Sequence, residues 1–349
     1  MTFEIRVRSA ASLAAVVLAA ALAGCAGPAP LPQAPPAPPP VALSSRLIEQ
    51  AVGYRAYMAR TKVISPAFAD GGAIAQSLTT GAAYDPPMLV RGAIAYGAVV
   101  ALQDPSFVAG VRAFAVDPAQ RQNVTYAILR DPAYAVGFPG AGSAAGAVIA
   151  ALGEDGRQLY DQGKLVKQAA YDVQAQAWSK TEVPNRVGRL QQAKTLSAAP
   201  MTGDVTETAR LQQAILGGAP AMSTAAPPAP APPPYTPLVI RSLAVAALAA
   251  LGQAGDPYVD NVSGILVEPN AGTCLNLAKL NLYQCLAVSK PHYEDIFCLG
   301  QHIMMDTGRC IMKTSGAVMP LEIKPPPLDV TYTAKPYKSG PPKTPKKKG

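Results

Sequence analysis

Proline divides this chain before any other feature is considered. Of its 36 prolines, 24 fall in three stretches, residues 28–40, 220–237 and 320–345, with eight in each. Proline removes a backbone donor and clashes inside a helix, so regular structure is confined to the segments between. Those segments are apolar in a particular way. Hydrophobic residues make up 49% of the 349-residue chain but aromatics only 6%, and alanine carries the difference. So few large or β-branched side chains argue against a β-sandwich or barrel. They predict an all-α fold packed through small residues, an irregular bundle of short helices. The apolar content also excludes a wholly disordered chain.

Helix starts are marked by the dipeptide Asp-Pro, at Asp85-Pro86, Asp104-Pro105, Asp117-Pro118 and Asp131-Pro132. Asp at the N-cap accepts orphan backbone N–H groups, and Pro at the next position has no donor to lose. After the second pair, Phe107, Val108, Val111, Phe114 and Ala115 share one face, and after the third Val124, Ala127 and Ile128 do the same. Leu159, Val166 and Val173, seven apart, predict a longer helix over 156–180, with Tyr160, Tyr171 and Trp178 on a second face. The string Arg-Leu-Gln-Gln-Ala occurs at 189–193 and again at 210–214. It predicts two similar amphipathic helices, and five residues are too few to define a repeat architecture. Asp204 with Glu207 resembles a capping box.

Thr236-Pro237 opens an apolar stretch over 238–251, interrupted only by Arg241 and Ser242. Its length suits a buried helix and not a membrane span. Residues 255–272 predict loop, with one extended piece at 264–267. Gly140, Gly142, Gly146 and the small residues up to Ala151 predict close helix approach. A dinucleotide or phosphate loop is excluded there, because no strand precedes them and no P-loop lysine follows.

Cys274, Cys285, Cys298 and Cys310 lie within 37 residues. Outside the cytoplasm an even number so clustered reads as two disulfides. Leu275, Leu277, Leu280, Leu282 and Leu286 predict a helix over about 273–289, and Lys290-Pro291 ends it and starts a second. On one helix Cys274 and Cys285 stand ~16 Å apart along the axis, whereas a disulfide needs Cα atoms within ~7 Å. These two are therefore not bonded to each other. Eleven residues is close to three whole turns, so both thiols face one way. A returning helix meets them as Cys285–Cys298 near the turn and Cys274–Cys310 further out, with crossed pairing as the alternative. The twelve-residue spacing of Cys298 and Cys310 fits less well, and Gly308 gives room to bend. The nested pattern resembles the twin-cysteine hairpins of small coiled-coil-helix proteins over about 40 residues, and no function follows from it.

The only histidines, His292 and His302, fall in this module. With Cys298 and Cys310 they could be written as a zinc set, but the spacing matches no zinc module and oxidised cysteines are not ligands. No metal or cofactor is expected. His292, Glu294 and Asp295 suggest an acid–base cluster, yet two acids in the first turn of a helix are what its macrodipole favours. Ser289 has no nucleophile-elbow pattern around it. A non-enzymatic protein is expected. A hydrolase with paired carboxylates, drawn from residues such as Asp161 and Asp172, is the alternative, since carboxylate separation is set by the fold.

Arg6 and Arg8 precede a short apolar run, Ala10 to Leu22, that ends in Leu22-Ala23-Gly24-Cys25. The run is too short to stay in a bilayer as a spanning helix. The four-residue motif resembles the lipobox of bacterial lipoproteins. That resemblance implies that residues 1–24 are a cleaved signal peptide and that Cys25 carries a diacylglycerol thioether on an acylated amino terminus. Ala26, where an Asp would signal retention at the inner membrane, implies the outer membrane. Residues 25–40 then form a tether, reaching ~40 Å if extended as polyproline II at ~3.1 Å per residue. A helical domain (41–219), a Pro/Ala linker (220–237), the apolar helix with the four-cysteine hairpin packed on it (238–319) and a disordered basic tail (320–349) follow.

The formal net charge of +8 sits mostly in that tail. Lys335, Lys338, Lys343, Lys346, Lys347 and Lys348 supply six charges with no acid after Asp329, which leaves the body about neutral. Such a tail attracts polyanions over a Debye length of ~8 Å. Behind a lipobox the partners in reach are membrane lipid, anionic envelope polymers and other envelope proteins, and nucleic acid is not among them. The sequence thus predicts a tethered envelope scaffold or binding module whose contact is made by the cysteine hairpin or the basic tail.

Overall fold

The computed structural model describes residues 37–218, 220 and 228–320. Cys25 and the six tail lysines lie outside these residues. The fold is all-α. Among the described residues there are thirteen α-helices and no strand: α1 (Ser45–Lys62), α2 (Gly71–Ala82), α3 (Pro86–Ala101), α4 (Pro105–Arg112), α5 (Pro118–Arg130), α6 (Ala141–Asp172), α7 (Arg186–Leu196), α8 (Val205–Ile215), α9 (Pro237–Ala250), α10 (Val259–Ser263), α11 (Pro269–Val288), α12 (His292–Cys298) and α13 (Asp306–Ser315).

Of the four Asp-Pro pairs within residues 41–219, three open α-helices. The Asp85, Asp104 and Asp117 carboxylates accept from the N–H groups of Met88 (2.9 Å), Phe107 (2.8 Å) and Gln120 (3.3 Å). Asp131 caps a short 3-10 helix, Pro132–Gly137. Phe107, Val111, Val124 and Ile128 are buried as their spacing requires.

At the centre α3 crosses α9, and both are buried on almost every side. Side chains this small let the backbones approach closely. A Cβ on Gly97 would stand 2.4 Å from Ser242 Oγ, and that hydroxyl satisfies itself on the Leu238 carbonyl one turn back (3.0 Å). α1 packs on the other side of α3, where Tyr54 of α1 stacks on Tyr96 of α3 and Tyr57 meets Tyr84, all four fully buried. One continuous cluster of buried residues runs from Leu43 to Ile311. The segments on either side of the 220–237 linker therefore share a core instead of each building its own. α9, expected on the cysteine hairpin, packs mainly on α3 and the 132–137 turn, because only an equally apolar helix can cover it.

The helix expected over 156–180 begins at Ala141 and ends at Asp172, so the glycine-rich stretch forms its first turns. Val173–Ala175 and Trp178–Lys180 are 3-10 turns. At ~1.5 Å per residue α6 is ~48 Å long. Gly142 and Gly146 receive the proline-rich chain at 229–231, where the Ala231 N–H donates to Gly142 O (2.9 Å). Residues 255–272 are more helical than expected. They hold α10 between two 3-10 turns, and 264–267 is not an extended piece. α11 starts four residues earlier than expected, because Glu268-Pro269 acts as a cap like the Asp-Pro pairs.

The hairpin is stapled as the nested pattern requires, Cys274–Cys310 (Cα–Cα 5.8 Å) and Cys285–Cys298 (5.7 Å). Its returning arm is α12, a π-helix at Leu299–Met305, and α13. A π-turn absorbs an extra residue per turn, which reconciles the twelve-residue spacing on this arm with eleven on the other. Gly308, expected to provide the bend, lies inside α13 and does something else. A Cβ there would sit 2.6 Å from Gly156 O, and one on Gly156 would sit 2.8 Å from Gly308 O. The two glycines bring α13 against α6 backbone to backbone.

Candidate functional site

The corner of the hairpin faces α7 and the first turn of α2. Asp295, in α12, is only 2% exposed. Its carboxylate accepts from Arg189 Nη1 on α7 and from Ser289 Oγ (2.8 Å), and Arg189 Nη2 donates to the Leu286 carbonyl near the end of α11. Arg186 supports the same corner, with Nε donating to Ser289 O (2.8 Å). Burial lifts the Asp295 carboxyl above its usual range, while the Arg189 guanidinium and the Ser289 hydroxyl pull it back. Glu294, half-buried in the same first turn, accepts from the Lys290 N–H (2.7 Å). The macrodipole expectation does not describe Asp295, whose position is fixed by a buried ion pair.

His292 sits beside this pair. Its backbone N–H donates to Thr181 O (3.2 Å). Its ring lies against the bare Cα of Gly71, where an added Cβ would be 2.2 Å from Cε1.

Between α2 and α7 opens a cleft of about 610 Å³, with Leu286, His292 and Asp295 at the hairpin side. Ala75, Leu78 and Leu196 line it with apolar surface, and the amide of Gln192 meets Thr79 Oγ1 across it (3.3 Å). The first turns of α2 and α7 both open into it. Asp70 caps the Ala73 N–H (2.9 Å) and Asn185, in the left-handed region at φ 49°, caps that of Gly188 (3.1 Å). The N–H groups of Gly71 and Gly72 have no hydrogen-bond partner among the described residues. A cavity of this size, with apolar walls and a few fixed polar groups, suits a small ligand. Its one carboxylate is neutralised by Arg189. Ser289 donates to that carboxylate and is itself buried, outside the cleft lining.

The other residues singled out in the sequence are dispersed. Cys298 and Cys310 belong to two different disulfides, and His302 Nδ1 pairs with Asp306 Oδ2 (2.8 Å). Asp161 pairs with Arg157 (2.8 Å) and Asp172 accepts from Gln168 (2.9 Å), both along α6. Two pairs of carboxylates do converge, each on one arginine: the exposed Glu154 and Asp161 on Arg157 at 2.6 and 2.8 Å, and the more buried Asp155 and Glu207 on Arg55 at 2.9 and 3.6 Å. Burial raises Asp155, and Arg55 opposes that shift.

Sequence reasoning also passed over Lys279. It is 4% exposed in α11, donates to Ala82 O (2.6 Å) and lies 3.5 Å from the Tyr84 ring centroid. Burial lowers its amine to about 6. The ring face and the more distant Asp85 favour the cation, but neither offsets the loss of water. A lone lysine among the leucines of α11 was the available signal.

Fold and cleft together define an all-α protein in which a disulfide-stapled hairpin forms one wall of a ligand-sized cavity. No family model, curated protein or solved structure matches the chain.

Proposed function

We propose that this is an envelope lipoprotein, held at the outer membrane through lipid on Cys25, that works without catalysis as a tethered binding module. The observation that carries the binding role is the cleft of about 610 Å³ at the corner of the cysteine hairpin. Two staples and the Arg189–Asp295 pair hold that corner rigid, and a preformed wall lowers the entropic cost of binding. The cleft takes a ligand with an apolar body and a hydrogen-bond-accepting head, which meets the free amides of Gly71 and Gly72. The Leu22-Ala23-Gly24-Cys25 motif supports the anchor, since several acyl chains at ~0.8 kcal/mol per buried CH₂ hold a protein on a bilayer.

Two measurements test this. Cys25→Ser moves the protein from the membrane fraction to the soluble fraction if the anchor is real, and an unchanged distribution removes it. For the cleft, the protein is equilibrated with detergent-extracted envelope and examined by native mass spectrometry. A bound small molecule is expected on the wild type and not on Ala75→Trp, which fills the cavity from an exposed position on α2. Identical spectra from the two proteins sink the binding reading.

A further inference from the structure

A second cavity, of about 330 Å³, lies between α1, α3 and the 259–267 segment. Arg46 and Gln50, one turn apart on the same face of α1, line it together with Arg91 of α3. Most other arginines in the fold have partners, the exposed Arg130 of α5 being an exception among the described residues. Arg55, Arg157, Arg186, Arg189 and Arg210 all pair with carboxylates, and Arg112 and Arg241 donate to carbonyls. Arg46 and Arg91 make no hydrogen bond or ion pair among the described residues, although both face one cavity. Among the described residues neither pairs with Glu49 or Asp260, the acids on the same elements as the cavity wall. Gln50 adds a third observation, because its Oε1 is buried with no hydrogen-bond partner. Turning that amide over places an N–H donor at the buried end instead. The wall opposite carries Val259, Leu266 and the half-exposed Val267, and is held from behind by Arg241 on Ile265 O (3.0 Å).

Two unpaired arginines and a glutamine whose buried amide oxygen lacks a partner line one cavity with an apolar lip, and with the amide turned over all three present donors, a set that suits an oxyanion. We propose that this cavity is a binding site for a phosphate ester, the phosphate held between Arg46 and Arg91 with the Gln50 amide as a further donor. A phosphate monoester carries up to two negative charges and matches both cations, where a carboxylate would leave one uncompensated. Val259, Leu266 and Val267 then contact the esterified group. The site is separate from the cleft at Asp295 and stands or falls independently of it.

The full-length protein is titrated calorimetrically with inorganic phosphate, with glycerol 3-phosphate and with phosphatidylcholine vesicles containing phosphatidic acid. Arg46→Gln and Arg91→Gln are each expected to weaken binding about tenfold at low salt, and the double variant about a hundredfold. The basic tail is present in every variant, so a difference between them reports this cavity alone. Binding of the soluble esters identifies a free phosphate ligand, and binding confined to vesicles identifies a lipid headgroup. Val267→Glu, which sets an acid at the lip without touching either arginine, is expected to weaken binding as well. Arg130→Gln on the exposed face of α5 is expected to leave it unchanged. Equal affinity of wild type and double variant for all three probes, or no binding by the wild type, overturns the proposal.

Discussion

Arg189 and Asp295 stand 106 residues apart in the chain and meet as an ion pair whose carboxylate side is closed to solvent. The pair joins α7 to the hairpin, and Arg189 also caps the end of α11. Removing one partner of a buried pair leaves an uncompensated charge, at a cost of ~3–5 kcal/mol. Asp295→Asn is therefore expected to lower unfolding stability by that order in urea denaturation. Replacing both, as Arg189→Met with Asp295→Leu, should cost clearly less than Arg189→Met alone and Asp295→Leu alone added together. Strict additivity would show that the pair is not coupled.

Gly308 and Gly272 both lie inside helices, and they should respond oppositely to alanine. A Cβ on Gly308 meets the Gly156 carbonyl and the Tyr160 amide at 2.6 and 2.7 Å, and those backbone atoms cannot move aside without shifting α6. Overpacking of this kind costs ~1–3 kcal/mol. Gly272 has nothing within 4 Å of the added atom, so Gly272→Ala should gain ~0.5–1 kcal/mol of helix stability. Thermal melting of the two variants checks the contrast.

Lys279 gives the fold a pH dependence at the alkaline end. Its amine is lowered to about 6 in the folded protein, while an unfolded lysine titrates near ~10.4. Between those values the unfolded chain binds a proton that the folded chain does not, so stability rises with pH across that window. The penalty is complete below about pH 6 and gone above ~10.4, with a slope of at most ~1.4 kcal/mol per pH unit. Lys279→Met should flatten the stability curve between pH 6.5 and 9.5. A variant that keeps the wild-type slope would mean that the amine is charged in the folded state.

The two disulfides close chain segments of different length, with sequence separations of 36 and 13. Loop-closure entropy predicts ~4 kcal/mol for Cys274–Cys310 and ~3 kcal/mol for Cys285–Cys298. Serine pairs at each bridge, compared by guanidinium denaturation, should fall in that order. The outer staple also fixes α13 against α11, so its loss is expected to loosen the Gly156–Gly308 contact as well.

The legible parts of this protein were local. The Asp-Pro caps, the apolar faces of α4 and α5, the buried α9 and the nested cysteine pairing can all be read within a few turns of sequence. The spacing of eleven on one arm and twelve on the other is awkward for that pairing, and the π-turn that resolves it leaves no residue pattern of its own. The Arg-Leu-Gln-Gln-Ala strings show the limit. Both form helices with a buried alanine, at Ala193 and Ala214, yet Arg189 reaches Asp295 while Arg210 holds Glu207. Identical pentapeptides acquire different partners because each helix is placed by what it packs against. Asp295 is illegible for the same reason, since a first-turn acid looks alike whether solvent or an arginine faces it.

Helix propensity, capping and periodicity act between neighbours in the chain, so an all-α protein with a stapled hairpin is determined by the sequence alone. Burial, ion pairing and cavities depend on which distant surfaces come together. Only the tertiary structure therefore decided that the body and the hairpin share one core, that Lys279 loses its water, and that a cleft opens where α2, α7 and α12 converge.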